Sequence, residues 1–302
     1  MLSRVAESMY WMARNLERVE TLARLIEVTI TRSMDRGTAA RERVARAIET
    51  LYAVAGLPVP ENAVASDAAA RIAFGPERLS LQGCIRIARQ NALGVRPELT
   101  SELWQSINGL FLYLEAQSPS AIVDGNASIF LRNVRDAAQT FGGLCDATLI
   151  RDDGWEFLTI GRYLERAAMT ARILRSHLPR GDWQRILEAC CASEPFARSG
   201  RTGNDAADAF AFLVLHRTFP RSMRFCVHEV DRALHRLSGA QWGTYSNDAE
   251  RRSGSVAAEL DYTDAASVVR EGPQGFAARI AVRLDELAEA IAAAAFPRIP
   301  VA

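Results

Sequence analysis

The sequence contains no lysine, so all 36 of its basic side chains are arginines. A lysine amine is the reacting group of Schiff-base and pyridoxal-phosphate enzymes, and it contacts the nucleotide phosphates in Walker A proteins and kinases. The absence of lysine from all 302 residues therefore excludes these classes of enzyme for this chain.

The sequence also lacks a surplus of positive charge and a long apolar run. Its 36 arginines are balanced by 36 acidic residues, whereas nucleic-acid binding needs basic charge gathered in a patch. The most apolar tract, Leu287 to Phe296, is interrupted by Glu289 and is too short to cross a bilayer. We therefore expect neither a nucleic-acid partner nor a membrane partner.

Cysteine is scarce, and the residues after Met1 lack the basic start, apolar run and cleavage site of a signal peptide. An odd number of scattered cysteines favours reduced, mostly buried thiols. Both features lead us to expect a cytoplasmic protein. The five cysteines are Cys84, Cys145, Cys190, Cys191 and Cys226.

Alanine, leucine and arginine are abundant, and this composition favours helix along nearly the whole chain. We therefore predict an all-α fold. The segments 57–77 and 239–272 are rich in glycine, serine, asparagine and aspartate, and they are predicted to form loops or short helices. Long helices are predicted at 3–34, 38–56, 78–94, 98–117, 127–149, 153–178, 182–197, 205–216, 220–238 and 273–296.

An internal repeat organises the sequence, because two stretches of the first half recur in the same order in the second half. The later stretch matches at a shift of 142, which aligns Ser80 and Cys84 with Ser222 and Cys226. We therefore predict two fused, similar helical units, 1–148 and 149–302, that form one continuous structural domain. The first match, at a shift of 148, aligns Arg14, Leu16, Glu17, Arg18, Ala23 and Arg24 with Arg162, Leu164, Glu165, Arg166, Ala171 and Arg172.

The repeated helix carries apolar residues on two sides, so we expect it to be buried on two sides. Its charges are then confined to a narrow sector, which includes Arg14 and Glu17 in the first copy and Arg162 and Glu165 in the second. A buried carboxylate must be paired and hydrogen-bonded to offset its desolvation. The pattern therefore predicts arginine–glutamate pairing in the interior.

Two interpretations of these charges remain open. In one, Glu17 and Glu165 join the two long helices through arginine forks. In the other, the arginines line a polar pocket that binds a carboxylate or phosphate, with Glu17 or Glu165 as the catalytic acid or base. The candidate ligand-binding residues are Arg14, Arg18, Arg24, Arg162, Arg166 and Arg172, with Asp146 and Arg151 in the turn before the second repeated helix.

No metal site and no cofactor are predicted. His228-Glu229 begins like a zinc-protease motif, but the position that needs the second histidine is occupied by Arg232. The sequence also has no glycine-rich phosphate loop after a strand and no Gly-x-Ser-x-Gly elbow.

Several stretches of the sequence together carry a family pattern. They are Tyr10-Trp11-Met12-Ala13-Arg14-Asn15-Leu16-Glu17-Arg18, Arg89-Gln90-Asn91-Ala92, Ser101-Glu102-Leu103-Trp104 with Asn108, Asp146-Ala147-Thr148, Arg151-Asp152-Asp153-Gly154-Trp155 and Gly161-Arg162-Tyr163-Leu164-Glu165-Arg166. In combination they resemble the bacterial alpha-E family, helical proteins named for a recurring Glu-Arg motif. Arg89-Gln90-Asn91 departs from the family pattern, which has an acidic residue before the asparagine.

The resemblance implies an all-helical fold and a genomic association with ATP-grasp ligases and transglutaminase-like cysteine peptidases. The leading hypothesis is an accessory or scaffold partner of an ATP-grasp amide ligase, and of such a peptidase, in forming or modifying peptides or amide-linked metabolites. One alternative is an enzyme of that system, with Glu17 or Glu165 as acid/base and arginines holding an anionic substrate. Another is a carboxylate-binding module without chemistry. A dry, fully paired charge cluster favours the first hypothesis, and a pocket lined by both Glu-Arg sets favours the others.

Overall fold

The computed structural model describes residues 3–35, 39–177, 183–200 and 206–296. Within these ranges every regular element is an α-helix, apart from a short 3-10 helix at Arg96–Glu98, which confirms the predicted all-α class. The helices are α1 (Ser3–Ser33), α2 (Ala40–Ala55), α3 (Ala65–Phe74), α4 (Leu81–Gly94), α5 (Ser101–Glu115), α6 (Ser120–Val123), α7 (Ala127–Thr148), α8 (Asp153–His177), α9 (Trp183–Ala189), α10 (Ser193–Arg198), α11 (Ala206–Leu215), α12 (Met223–Ser238), α13 (Asp248–Tyr262), α14 (Ala265–Glu271) and α15 (Pro273–Ala295).

Side-chain caps fix where several helices begin. Ser80 accepts a hydrogen bond from the backbone N–H of Gly83 at the start of α4, and Ser222 accepts one from Phe225 at the start of α12. Such a bond satisfies one of the amide groups that has no partner inside the first turn. The two serines that the sequence match aligned are therefore both helix caps.

The structure differs from the predicted helices in two places. The helix predicted at 182–197 is divided into α9 and α10, because Cys191 between them has a backbone φ of 54°, in the left-handed region that ends a helix. The segment 239–272, expected to hold loops or short helices, contains the 15-residue α13, which begins at an Asn247 cap. The predicted helix ends at 38, 178, 182 and 205 lie outside the described residues.

Helices α1 and α8 pack against each other at the centre of the molecule, and one hydrophobic core continues through both halves of the chain. Helix α1 is buried on its apolar faces and also along its charged sector, as predicted. The boundary predicted between 148 and 149 coincides with the end of α7, where no separate core begins.

The crossing of α1 and α8 is close because Gly161 has no side chain. A Cβ atom placed on Gly161 would lie 2.3 Å from the backbone carbonyl oxygen of Tyr10. That separation is far below van der Waals contact, so the two backbones approach to a distance that other residues do not permit at this point. The short approach brings the charged sectors of both helices within reach of each other.

Each central helix has a matching set of neighbours. Helix α1 packs against α4 and α7, while α8 packs against α12 and α15. Helix α5 in turn packs between α4 and α7, and α13 between α12 and α15. This order is what two similar helical units would produce, and the internal duplication itself stays a prediction.

No helix among the described residues is long and apolar enough to cross a membrane. The five cysteines form no disulfide, and four of them are buried.

Candidate functional site

The charges of α1 and α8 form two clusters in which each helix supplies arginines to the carboxylate of the other. The closed cluster surrounds Glu165 in the interior, and the cavity cluster surrounds Glu17 beside a cavity. The closed cluster consists of Tyr10, Arg14, Arg18 and Glu165, and the cavity cluster of Glu17, Glu20, Arg24, Arg166 and Arg221.

In the closed cluster, Glu165 has no solvent exposure and accepts hydrogen bonds from two arginines. Arg14 donates from Nε to one carboxylate oxygen at 2.7 Å, and Arg18 donates from Nε to the other at 2.7 Å. Arg14 also donates from Nη1 to the hydroxyl of Tyr10 at 2.8 Å. All these groups are paired inside the protein, so the closed cluster joins the two helices.

Electrostatics keep the closed cluster ionised. Burial alone would raise the pKa of Glu165, but the positive charges of Arg14 and Arg18 outweigh it and lower the pKa to about 2. Burial likewise opposes the charge of Arg14, yet the nearby Glu165 carboxylate raises the arginine's pKa above its usual value. A carboxylate with such a low pKa stays ionised and does not exchange a proton near neutral pH.

In the cavity cluster, Arg166 donates two parallel hydrogen bonds to the Glu17 carboxylate, from Nε at 2.8 Å and from Nη2 at 2.7 Å. Arg221 bridges two carboxylates of α1, with Nη1 3.2 Å from Glu17 and Nη2 2.7 Å from Glu20. Arg24 donates to Glu20 from the next turn at 2.9 Å. A bidentate arginine fork fixes orientation as well as charge.

Glu20 and Arg221 stabilise each other's charged form. Burial would raise the pKa of Glu20, but Arg221 and Arg24 lower it to about 2. Burial opposes the charge of Arg221, and the carboxylates of Glu20 and Glu17 more than offset this effect and raise its pKa. Arg221 therefore stays positive, and Glu20 stays negative, over the whole physiological range.

A cavity of about 470 Å³ lies beside the cavity cluster, between α1, α7, α8 and the turn before α12. It opens toward the surface, unlike the interior around Glu165. Apolar rings of Phe141 and Phe219 form part of its wall. Its polar wall includes Glu17, Glu20, Gln139, Asp146, Arg162, Arg166 and Arg221.

Arg162 is buried in this wall and makes only long hydrogen bonds to oxygen. Its Nη1 lies 3.3 Å from an oxygen of Asp146, whose side chain is 59% exposed, and its Nη2 lies 3.5 Å from the carbonyl of Gly142. Charge-assisted hydrogen bonds usually measure about 2.7–2.9 Å. The guanidinium of Arg162 is thus more weakly paired than those of the two clusters.

The remaining sequence candidates lie at other positions. Arg172 is not among the residues that line the cavity, and its Nη2 lies 3.4 Å from Asp285 of α15. Arg151 donates to the backbone oxygen of Asp146 at 2.8 Å and stacks on Trp155, with its guanidinium 3.5 Å from the ring centre. Arg24 supports Glu20, and Asp146 lines the cavity beside Arg162.

Sequence reasoning missed Glu20, Gln139 and Arg221 as part of the site. Glu20 and Arg221 have no charged equivalent in the other copy, where Ala168 and Leu79 occupy the aligned positions. A pattern of repeated charges therefore does not include them. The available signal was the position of Arg221 directly before Ser222, a serine that the repeat had already identified.

The cavity wall holds two candidate nucleophiles, Cys191 and Tyr163, and neither has the lowered pKa of an activated nucleophile. Burial raises the pKa of the Cys191 thiol despite the nearby arginines, and burial also raises the pKa of Tyr163. His228 is bound to Asp261 at 2.8 Å. In the part of the chain that the structure describes, no group of three or more histidine, cysteine, aspartate or glutamate residues could hold a metal ion.

A second cavity, of about 700 Å³, lies at the turn between α7 and α8. It is lined by Thr148, Asp152 and Trp155, whereas Asp146 faces the first cavity. Asp152 accepts hydrogen bonds from the backbone N–H groups of Gly154 and Trp155 and so begins α8. Asp146 thus lies in the last turns of α7 and not in the connecting turn where the sequence placed it, and this end of α7 supplies residues to two separate cavities.

The fold and the two clusters define an all-α protein whose central helices are joined by reciprocal Glu–Arg pairs. Residues 1–296 match the model of the Alpha-E family, described as a predicted alpha-helical domain with a conserved ER motif. The chain belongs to the Alpha-E family, as the sequence resemblance indicated. Two of its Glu-Arg steps, Glu17-Arg18 and Glu165-Arg166, supply the reciprocal pairs.

The chain is also similar to uncharacterized proteins of Mycobacterium bovis and Mycobacterium tuberculosis. It is 26% identical to the M. bovis protein over 270 residues and 26% identical to one from M. tuberculosis H37Rv over 266 residues. Each match covers 78% of this chain but 30% of the relative, so this chain spans less than a third of the relatives' length. No solved structure matches the chain.

Proposed function

We propose that this chain is a non-catalytic partner of an ATP-grasp amide ligase and holds an anionic group in the cavity beside the cavity cluster. The system would also include a transglutaminase-like peptidase and would form or modify peptides or amide-linked metabolites. The partnership follows from the family resemblance. The role in binding follows from the charges and the cavity described above.

The observation that supports a binding role most strongly is the state of the site carboxylates. A general acid or base works best with a pKa near the operating pH. The pKa values of Glu165 and Glu20 are both about 2, and Glu17 accepts hydrogen bonds from Arg166 while Arg221 lies at ion-pair distance. Glu165 and Glu20 are therefore poorly suited to move protons, and all three carboxylates position arginines.

The cysteine in the cavity wall supports the same conclusion. The thiolate form of cysteine is the nucleophile, so reactive cysteines have a lowered pKa. The pKa of Cys191 is raised by burial instead. The lengths of the relatives add support, because a domain that forms 30% of a longer chain is suited to act together with other domains.

Co-expression with the neighbouring ATP-grasp ligase tests this proposal. We expect the two proteins to co-purify and ATP turnover on candidate peptides to depend on this chain. An Arg162→Gln variant should still associate but support less turnover, while the matched control Arg175→Gln, an exposed arginine of the same helix, should behave as the wild type. Independent elution with unchanged turnover would contradict the partnership.

The alternative is an enzyme of the same system, and it is favoured by the access of Glu17 to the cavity. In that case the Glu17→Gln variant should lose turnover while retaining its association with the ligase. Turnover that survives this substitution would leave the non-catalytic role as the better account.

A further inference from the structure

Arg14 and Arg162 occupy the same position in the repeated helix, yet their partners differ. Arg14 is held by Glu165 at 2.7 Å and by Tyr10 at 2.8 Å. Arg162 reaches oxygen atoms at 3.3 and 3.5 Å, and it forms no ion pair shorter than 3.3 Å with the described residues. Arg162 also contacts the Cys145 thiol and lies 5.9 Å from the centre of the Trp155 ring, but neither group carries a negative charge. Arg14 is thus paired at short distance with a buried carboxylate, and Arg162 is not.

Two differences between the repeats explain this asymmetry. The residue aligned with Tyr10 is Leu158, so the second copy has no hydroxyl to hold Arg162. The residue aligned with Leu79 is Arg221, which lies 3.2 Å from Glu17. Arg221 therefore takes, at Glu17, the place that Arg14 takes at Glu165. Arg162 is left facing the cavity.

A buried guanidinium needs an anion to offset its loss of hydration. Arg162 is 8% exposed overall, and its nearest carboxylate, on Asp146, is mostly in solvent. We propose that Arg162 binds the carboxylate of a ligand that enters this cavity, while Arg166 and Arg221 hold the wall in place. This inference rests on the proposed anion-binding role and names the ligand class and the residue that contacts it.

The charges of the wall favour a carboxylate over a phosphate. Glu17, Glu20 and Asp146 also line the cavity, and they would repel a dianionic phosphate more strongly than a single carboxylate charge. A planar carboxylate matches the two parallel donors of one guanidinium. The cavity of about 470 Å³ exceeds a carboxylate group, so the rest of the ligand has room beside Phe141 and Phe219.

Chemical protection of Arg162 tests the assignment on the purified chain alone. Phenylglyoxal modifies accessible guanidinium groups and blocks tryptic cleavage, and trypsin cuts this lysine-free chain only after arginine. We expect the monoanion N-acetylglycine to protect Arg162, and neutral N-acetylglycinamide and inorganic phosphate not to do so. Equal protection by phosphate, or none by N-acetylglycine, would overturn the proposal.

Variants then test the role of Arg162 directly, with N-acetylglycine binding followed by NMR titration. Loss of a charge-assisted pair should weaken binding about tenfold or more in Arg162→Gln. Arg162→Lys keeps the positive charge but loses the two parallel donors of the guanidinium, so its affinity should lie between those of Arg162→Gln and the wild type. Arg175→Gln should bind as the wild type. Unchanged affinity in Arg162→Gln would refute the proposal.

A third variant tests the explanation for the asymmetry. In Arg221→Leu, which copies the first repeat, Arg162 is free to pair with Glu17 as Arg14 pairs with Glu165. We expect carboxylate binding to be lost and the reactivity of Arg162 toward phenylglyoxal to fall, although Arg162 is still present. Circular dichroism shows whether this variant folds. If it does not, the Arg162→Gln and Arg162→Lys variants test the proposal by themselves.

These measurements need no ligase, so they separate this inference from the proposed partnership. Carboxylate binding without co-purification would support the ligand assignment and contradict the partnership. Co-purification without carboxylate binding would do the reverse.

Discussion

The closed cluster and the cavity cluster arise from the same helix position but differ in what surrounds them. Glu165 is enclosed and fully paired with Arg14 and Arg18. Glu17 is paired with Arg166 and Arg221 and lines a cavity. One of the two aligned glutamates therefore joins the helices in the interior, while its counterpart joins them in the wall of a cavity. Neither outcome expected from the sequence is found alone. The closed cluster is dry and paired, and the cavity is lined by Glu17, Arg162 and Arg166 but not by Glu165, Arg14 or Arg18.

The largest effect is expected from Glu165→Gln. It leaves Arg14 and Arg18 buried without a counter-charge, and breaking a buried ion pair in this way costs about 3–5 kcal/mol. Glu17→Gln should cost less, about 1–3 kcal/mol, because solvent in the cavity can hydrate the released arginines. Urea unfolding of both variants measures the difference. Equal losses would show that the two clusters do not differ in solvation.

The pH dependence of stability should reflect the closed cluster next. The pKa of Glu165 is about 2 in the folded chain, against 4.5 ordinarily, so its contribution is complete above pH 4.5 and is lost as the pH falls toward 2. A shift of this size corresponds to roughly 3 kcal/mol. The free energy of unfolding of Glu165→Gln should therefore fall less steeply than that of the wild type between pH 5 and 2.

Glu20→Gln provides the matching measurement in the cavity cluster, since the pKa of Glu20 is also about 2. It should flatten the same part of the profile. A profile as steep as the wild type in either variant would mean that the glutamate concerned is not held ionised by its arginines.

Gly161→Ala should separate the two central helices, on which both clusters depend. The new methyl group would meet the Tyr10 carbonyl at 2.3 Å, and a backbone atom cannot turn aside. Overpacking of this kind costs about 1–3 kcal/mol. Gly109→Ala on α5 is the control, because no atom other than its chain neighbours and its own helix backbone lies within 4 Å of the added Cβ, and it should stabilise the helix by about 0.5–1 kcal/mol. Thermal unfolding of both variants compares them.

The smallest effect is expected from Tyr10→Phe, which removes one hydrogen bond of Arg14 and makes the first repeat more like the second. The loss should be about 1 kcal/mol, typical of a single buried bond. Tyr113→Phe, which removes an exposed bond from Asn133, should cost less. A cost of Tyr10→Phe no greater than this control would contradict the role of the hydroxyl in the closed cluster.

The sequence predicted the helical class and the burial of the charged sector of α1, since side chains three and four residues apart share a helix face. It also identified Glu17, Arg166, Arg14 and Glu165 as the central charges. It left open whether these charges pair with each other or line a pocket. That choice depends on which neighbours enclose each carboxylate, and a local pattern does not contain this information.

Other features followed from residues far apart in the chain. Arg221 reaches Glu17 and Glu20 from the turn before α12, and no spacing rule connects these positions. The break at Cys191 was missed because the surrounding residues fit a helix, and only the backbone of the folded chain adopts the left-handed conformation there.

The sequence by itself therefore determined an all-α chain with two similar charged helices, because helix propensity and periodicity are local properties. The tertiary structure alone decided that Glu165 would be enclosed and that Arg162 would face a cavity. The reason is that solvation and pairing of a charge depend on every element packed around it. Leu79 and Arg221 belong to such surrounding segments, outside the repeated helices.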